Sequence, residues 1–168
     1  MLRFASREEA LQHLSNITGS KVKIAYGKKE EQEDFIIDAS KEEIEKMLQN
    51  EDIININGLL GSAIHNKRDE DIVQLIIDNG AKFHGDDLNS AIQNEDEKMV
   101  RRMVSEGLKI DSYDYETIIQ EDLRKMLTLA IELDKPDVGE AFILLVKSAK
   151  NDNEEMVEEL GQYLYGNK

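Results

Sequence analysis

Apolar positions recur at i, i+3 and i+4 along most of the chain, the spacing that lines one face of a helix. Leu60, Ala63 and Ile64 form one such set; Ile72, Leu75 and Ile76 form the next. The polar stretch Asn66-Lys67-Arg68-Asp69 divides them, which predicts two helices joined by a tight turn. The pattern then repeats. Leu60-Gly61-Ser62-Ala63-Ile64 is echoed 28 residues later by Leu88-Asn89-Ser90-Ala91-Ile92. Asp69-Glu70-Asp71-Ile72-Val73 returns after 27 as Asp96-Glu97-Lys98-Met99-Val100, and Gly80-Ala81-Lys82-Phe83 as Gly107-Leu108-Lys109-Ile110. A period of this size predicts helical hairpins that stack into a solenoid. One hairpin cannot bury both of its apolar faces alone, so its neighbours supply the core.

Weaker copies flank the pair. Glu43-Ile44-Glu45-Lys46-Met47-Leu48 matches the second helix of the unit, with Ile44 lying 28 residues before Ile72. Downstream, Leu127-Thr128-Leu129-Ala130-Ile131 carries the first-helix signature, with Val138 and Ala141-Phe142 following as its second helix. Val146-Lys147-Ser148-Ala149, then Met156-Val157 and Leu160, makes a last copy. An insertion separates Ile110 from Leu127, and its apolar residues, from Ile118-Ile119 through Leu123 to Ala130-Ile131, predict one long helix. The N-terminal piece looks different. A helix is expected from Ser6 to about Ile17, and the alternation Val22, Ile24, Tyr26 reads as a short strand. The polar run Gly27 to Asp34 reads as a surface connection. These features divide the chain into residues 1–34 and a repeat region at 35–168.

Local signals agree with the periodicity. Ser6-x-x-Glu9 and Ser40-x-x-Glu43 are capping boxes, in which each side chain satisfies a backbone N–H left open at a helix start. Asp69 and Asp96 are candidate caps, Gly80 and Gly107 stand where second helices should stop, and Pro136 fits a first helical turn.

The two central units resemble the ankyrin repeat, through Leu60-x-x-Ala63, Ile72-Val73, Leu75-Ile76 and Asn79-Gly80-Ala81-Lys82-Phe83, and again through Leu88-x-x-Ala91, Met99-Val100 and Glu106-Gly107. The resemblance extends over about Phe35 to Tyr165. Two features depart from the family. Gly58-Leu59-Leu60-Gly61 and Asp86-Asp87-Leu88-Asn89 stand where its threonine-proline-leucine-histidine start belongs, and the spacing is 28 rather than about 33. The resemblance implies a mainly α, ankyrin-like helical-hairpin solenoid that binds another protein and catalyses nothing.

Composition narrows the partner. The 168 residues include no Cys, no Trp and one Pro, with 36 acidic against 21 basic residues, a net charge of −15. Without Cys there is no disulfide framework and no thiolate zinc site. No apolar run is long enough to span a bilayer, and Met1-Leu2-Arg3-Phe4-Ala5 gives way to charge at Arg7-Glu8-Glu9, unlike a signal peptide, so a cytoplasmic protein is expected. The acidity opposes direct contact with nucleic acid or anionic membranes. It reads either as the solubilising coat of helix faces or as a surface that seeks a basic protein partner or imitates nucleic acid.

Motifs for chemistry are missing. His13, His65 and His84 do not pair at metal-ligand spacing, and Gly58-Leu59-Leu60-Gly61-Ser62 lacks the Lys of a phosphate loop. Asp69-Glu70-Asp71 and Asn94-Glu95-Asp96-Glu97 lack calcium-loop spacing. No cofactor is expected. The expected function is protein binding through inter-unit turns and first helices, with Asn57, His84, Asp86, Asp87, Asn89, Tyr113 and Asp114 as contacts. The competing function is a small acidic inhibitor, such as a phage antagonist, nucleic-acid mimic or toxin-immunity protein, that blocks a basic enzyme.

Overall fold

The computed structural model describes residues 29–49 and 55–166. The helix expected from Ser6 to Ile17, its capping box and the strand expected at Val22 to Tyr26 lie outside these residues. The described residues form ten helices and no strand. They are α1 (Lys29–Asp38), α2 (Lys41–Leu48), α3 (Ile56–His65), α4 (Glu70–Asp78) and α5 (Gly85–Gln93). There follow α6 (Glu97–Ser105), α7 (Ser112–Gln120), α8 (Arg124–Asp134), α9 (Val138–Lys150) and α10 (Glu154–Tyr165).

The helices pack in a stack of two rows. The odd-numbered helices α1, α3, α5, α7 and α9 each rest on the next, α2 rests on α4, and α6, α8 and α10 follow one another, while α4 and α6 are joined by side-chain bonds from Lys98 to Glu70 and from Arg102 to Gln74. Within most hairpins the two helices also touch each other. This arrangement is compatible with a helical repeat.

Four hairpins close with the same bond. The N–H groups of Arg68, Asp96, Leu123 and Asn153 donate to the carbonyls of Ala63, Ala91, Ile118 and Ser148. The residue before each donor, Lys67, Glu95, Asp122 or Asp152, is left-handed. Ala63, Ala91, Ile118 and Ser148 are therefore equivalent positions, 28, 27 and 30 residues apart. Gly80 and Gly107, both at φ +103, end α4 and α6, where a side chain would be strained.

Four sequence expectations change, the last of them at Pro136. First, residues 29–34 are not a surface connection but the start of α1. Its buried Gln32 and Ile36, one turn apart, face inward, and the helix packs on α3; the charged residues around them disguise a single buried stripe. Second, the long helix and the insertion do not exist. Leu123 bonds back to Ile118 and Asp122 takes φ +55, which splits the segment into α7 and α8. Apolar residues run through the break because both helices bury them. Third, Leu127, Ala130 and Ile131 therefore belong to a second-row helix, equivalent to Val73, Ile76 and Ile77. Val138 and Phe142 open the first-row helix α9, and Ser148 holds the alanine position there. Pro136 is buried one residue before the cap Asp137, not inside the first turn.

One apolar cluster runs from Ile36 to Leu160 through every hairpin. Each fully buried Leu or Ile in it contributes roughly 1.5–3 kcal/mol relative to exposure.

Candidate interaction surface

The second row carries the charge. Lys41 pairs with Asp71, Lys98 with Glu70, Arg101 with Glu132 and Arg124 with Glu155, each across neighbouring even-numbered helices. Arg102 reaches Gln74 at 2.8 Å and lies over the Phe83 ring, and Thr128 donates to Glu159 at 2.5 Å. The Arg101 guanidinium holds the Glu132 carboxyl below its usual range, and the Lys41 ammonium does the same to Asp71. These bonds run from one hairpin to the next, so Lys41, Lys98, Arg101 and Arg124 are engaged by acids of the same chain.

Other polar links seal the ends of first-row helices. Arg68 donates to the carbonyls of Ile37 and Ala39, Asn94 to those of Ile64 and His65, and Asn153 to that of Ile119. Each is a turn residue of a later hairpin that bonds carbonyls at the C-terminal end of an earlier helix.

The first row begins with repeated caps. The Asp87 carboxylate accepts from the His84 N–H at 2.7 Å, Asp114 from the Asp111 N–H at 3.0 Å and Glu140 from the Asp137 N–H at 3.1 Å. Asp111 and Asp137 return the favour to the third N–H of their helices. Asn89 links two of these helices, donating from Nδ2 to Asp114 Oδ1 at 3.1 Å and to Thr117 Oγ1 at 3.0 Å.

The seven expected contact residues therefore divide. Asp87, Asn89 and Asp114 are buried and hold helix starts and helix pairs, so they do not offer themselves to a partner. Burial pushes the Asp87 and Asp114 carboxyls above their ordinary range. Half-buried Asn57 accepts from the Lys82 N–H at 2.9 Å and secures an inter-hairpin turn. His84, Asp86 and Tyr113 are exposed, Tyr113 at 62%.

On α9 lies a feature the sequence did not flag. Val138, Phe142 and Ile143 of α9 are 74%, 52% and 57% exposed. They were legible only as core, because α9 reads as a second helix when the break at Asp122 is missed. Their offset from the inward stripe Ala141, Leu144, Ser148 is the signal that separates them. A cleft of about 210 Å³ lies between α7 and α9, walled by Ile110, Ile143 and Leu144 with Asp134, Glu140 and Lys147 at its edge. Tyr115 closes one side and donates to Asp134 at 3.2 Å; burial, then the Asp134 charge, pushes its phenol up.

Among the described residues no three potential metal ligands cluster, and no helix is long and apolar enough to cross a membrane. No protein-family profile, curated protein or solved structure matches the chain.

Proposed function

We propose that the protein is a non-enzymatic binding module of the cytoplasm, an acidic ankyrin-like helical solenoid that engages a basic partner protein. The carrying observation is the division of labour between the two rows. The basic residues Lys41, Lys98, Arg101 and Arg124 pair with acids inside the chain. With a net charge of −15, the surface left over is acidic and attracts a cationic partner. Exposed Tyr113, Val138, Phe142 and Ile143 supply large apolar side chains of the kind that anchor interfaces. The ankyrin-like character rests on the paired helices, the glycine turns at Gly80 and Gly107 and the repeated Leu-x-x-Ala-Ile start.

The acidity also favours a second reading, an inhibitor that occludes a basic enzyme. Nucleic-acid mimicry fits less well, because the second-row carboxylates alternate with the cations they pair with.

Affinity capture from the source cells, wild type against Asp86→Lys/Tyr113→Ala, tests the reading. Basic proteins retained by the wild type support it, and their loss in the variant places the contact on the first row. Capture of nothing beyond what a charge-matched control protein retains contradicts it. Added captured enzyme distinguishes the inhibitor, which must lower that enzyme's turnover in proportion to occupancy.

A further inference from the structure

Each inner hairpin buries its forward face under the hairpin that follows. At equivalent positions Leu60 and Leu88 are fully buried and Tyr115 nearly so, yet Leu145 of α9 is only half-buried. Ile64, Ile92 and Ile119 are buried where Ala149 is exposed. In the second row Val73, Val100 and Leu127 are buried where Val157 of α10 is half-buried. Val146 stands at the position of Asn89, whose side chain reaches the next helix of its row. Among the described residues, the α9–α10 hairpin thus presents, uncovered, the same columns that join hairpins elsewhere, and Phe142 and Val138 extend that face along α9.

The rim says what should cover it. Glu70 and Arg124 occupy one column and both reach forward, to Lys98 and to Glu155. Gln74, Arg101 and Thr128 occupy another and also reach forward, to Arg102, Glu132 and Glu159. On α10 these columns hold Glu154 and Glu158, both exposed and both acidic, with Glu158 accepting from Gln162 of its own helix at 3.4 Å. An acid in the first column met a lysine in the next hairpin, so the complement of this rim is cationic. A second copy docked end to end through the same face would set Glu154 and Glu158 near their own counterparts, which like charges oppose.

We propose that the open end formed by α9 and α10 is a docking site for a cationic amphipathic helix of a partner protein, which seats as the next member of the stack. The inference rests on the binding-module reading and adds the surface and the partner's chemistry. Apolar side chains of that helix cover Phe142, Leu145, Val146 and Val157, and its lysines or arginines face Glu154 and Glu158, as Lys98 faces Glu70.

Fluorescence polarisation with the full chain tests it. The probe is a labelled Leu/Lys peptide of about 18 residues, long enough to hold a helix, with leucines at i, i+3, i+4 and i+7. Phe142→Glu should weaken binding on the order of tenfold. Glu154→Lys/Glu158→Lys, which alters only exposed side chains, should weaken it by a similar factor. Asp38→Lys/Glu42→Lys makes the same charge change at the far end of the stack and should leave affinity within about twofold, as rim charges remote from a contact do. Equal losses in the two charge-reversed variants, unchanged binding by Phe142→Glu, or no binding by the wild type would overturn the proposal. So would a concentration-dependent dimer, seen by sedimentation, that Phe142→Glu abolishes. Loss of probe binding in Asp86→Lys/Tyr113→Ala but not in the α9 and α10 variants would also overturn it, while leaving the binding-module reading intact.

Discussion

Asn89 shows how one side chain can belong to two helices. Its amide donates to Asp114 and Thr117 of the neighbouring first-row helix, inside the stack. Asn89→Ala removes both bonds and leaves a buried carboxylate short of a donor, which should cost about 1–3 kcal/mol in urea unfolding. A loss within a few tenths would mean that the pair is not buried as described. Asp114 makes a second test possible. Burial raises its folded pKa above the ordinary 3.8, so the folded chain takes up this proton before the unfolded chain does. Relative to Asp114→Asn, wild type should therefore gain stability as pH falls from neutrality, with the gain complete below 3.8. The comparison removes the opposing trend from Glu43, Asp71 and Glu132, whose carboxyls lie below their usual range. A difference that shrinks on acidification contradicts the assignment. At this scale the sequence misled as often as it helped. Asp87, Asn89 and Asp114 look like surface residues by type, and only the packing of one helix start on another shows that they are interior. Tyr113 carries no such partner and remains exposed.

Between elements, the repeat itself makes a prediction. Gly61 of α3 stands where Asn89 stands in α5, and Asp87 faces it as Asp114 faces Asn89. A Cβ on Gly61 would meet Asp87 Oδ1 at 3.0 Å, a flexible carboxylate tip that can move aside. Gly61→Asn should rebuild the inter-helix bond and raise stability by roughly 1 kcal/mol, through helix propensity and the added hydrogen bond. A lower melting temperature would show that Asp87 cannot shift. Helix starts were readable in advance where a side chain caps them: Ser40 with Glu43, and Asp96 to the Met99 N–H. Asp69 caps nothing with its side chain, although it resembles Asp96 in sequence. The turn at Glu121-Asp122-Leu123 was not readable. No Gly or Pro marks it, and its left-handed residue is an Asp, with apolar residues continuing on both sides. That one turn displaced the assignment of every later helix up to Val146, and with it the exposed face of α9.

For the whole molecule, periodicity carried the most information. Two strong copies predicted hairpins that share a core, and the described residues extend that arrangement from α1 to α10. Charge placement was not foreseeable, since ion pairs between hairpins depend on which helix rows face each other. The central claim is that successive hairpins advance in regular steps, so that α9 and α10 present a face that no described hairpin covers. The absence of Cys makes site-directed spin labelling direct. Exposed His65, Gln93, Gln120 and Lys150 are equivalent positions on successive first-row helices. Electron–electron dipolar spectroscopy on His65→Cys paired with Gln93→Cys, Gln120→Cys or Lys150→Cys should give separations that grow by about 10 Å per hairpin, the spacing of packed helices. Separations that stop growing, or a 65–150 pair as close as the 65–93 pair, would contradict it.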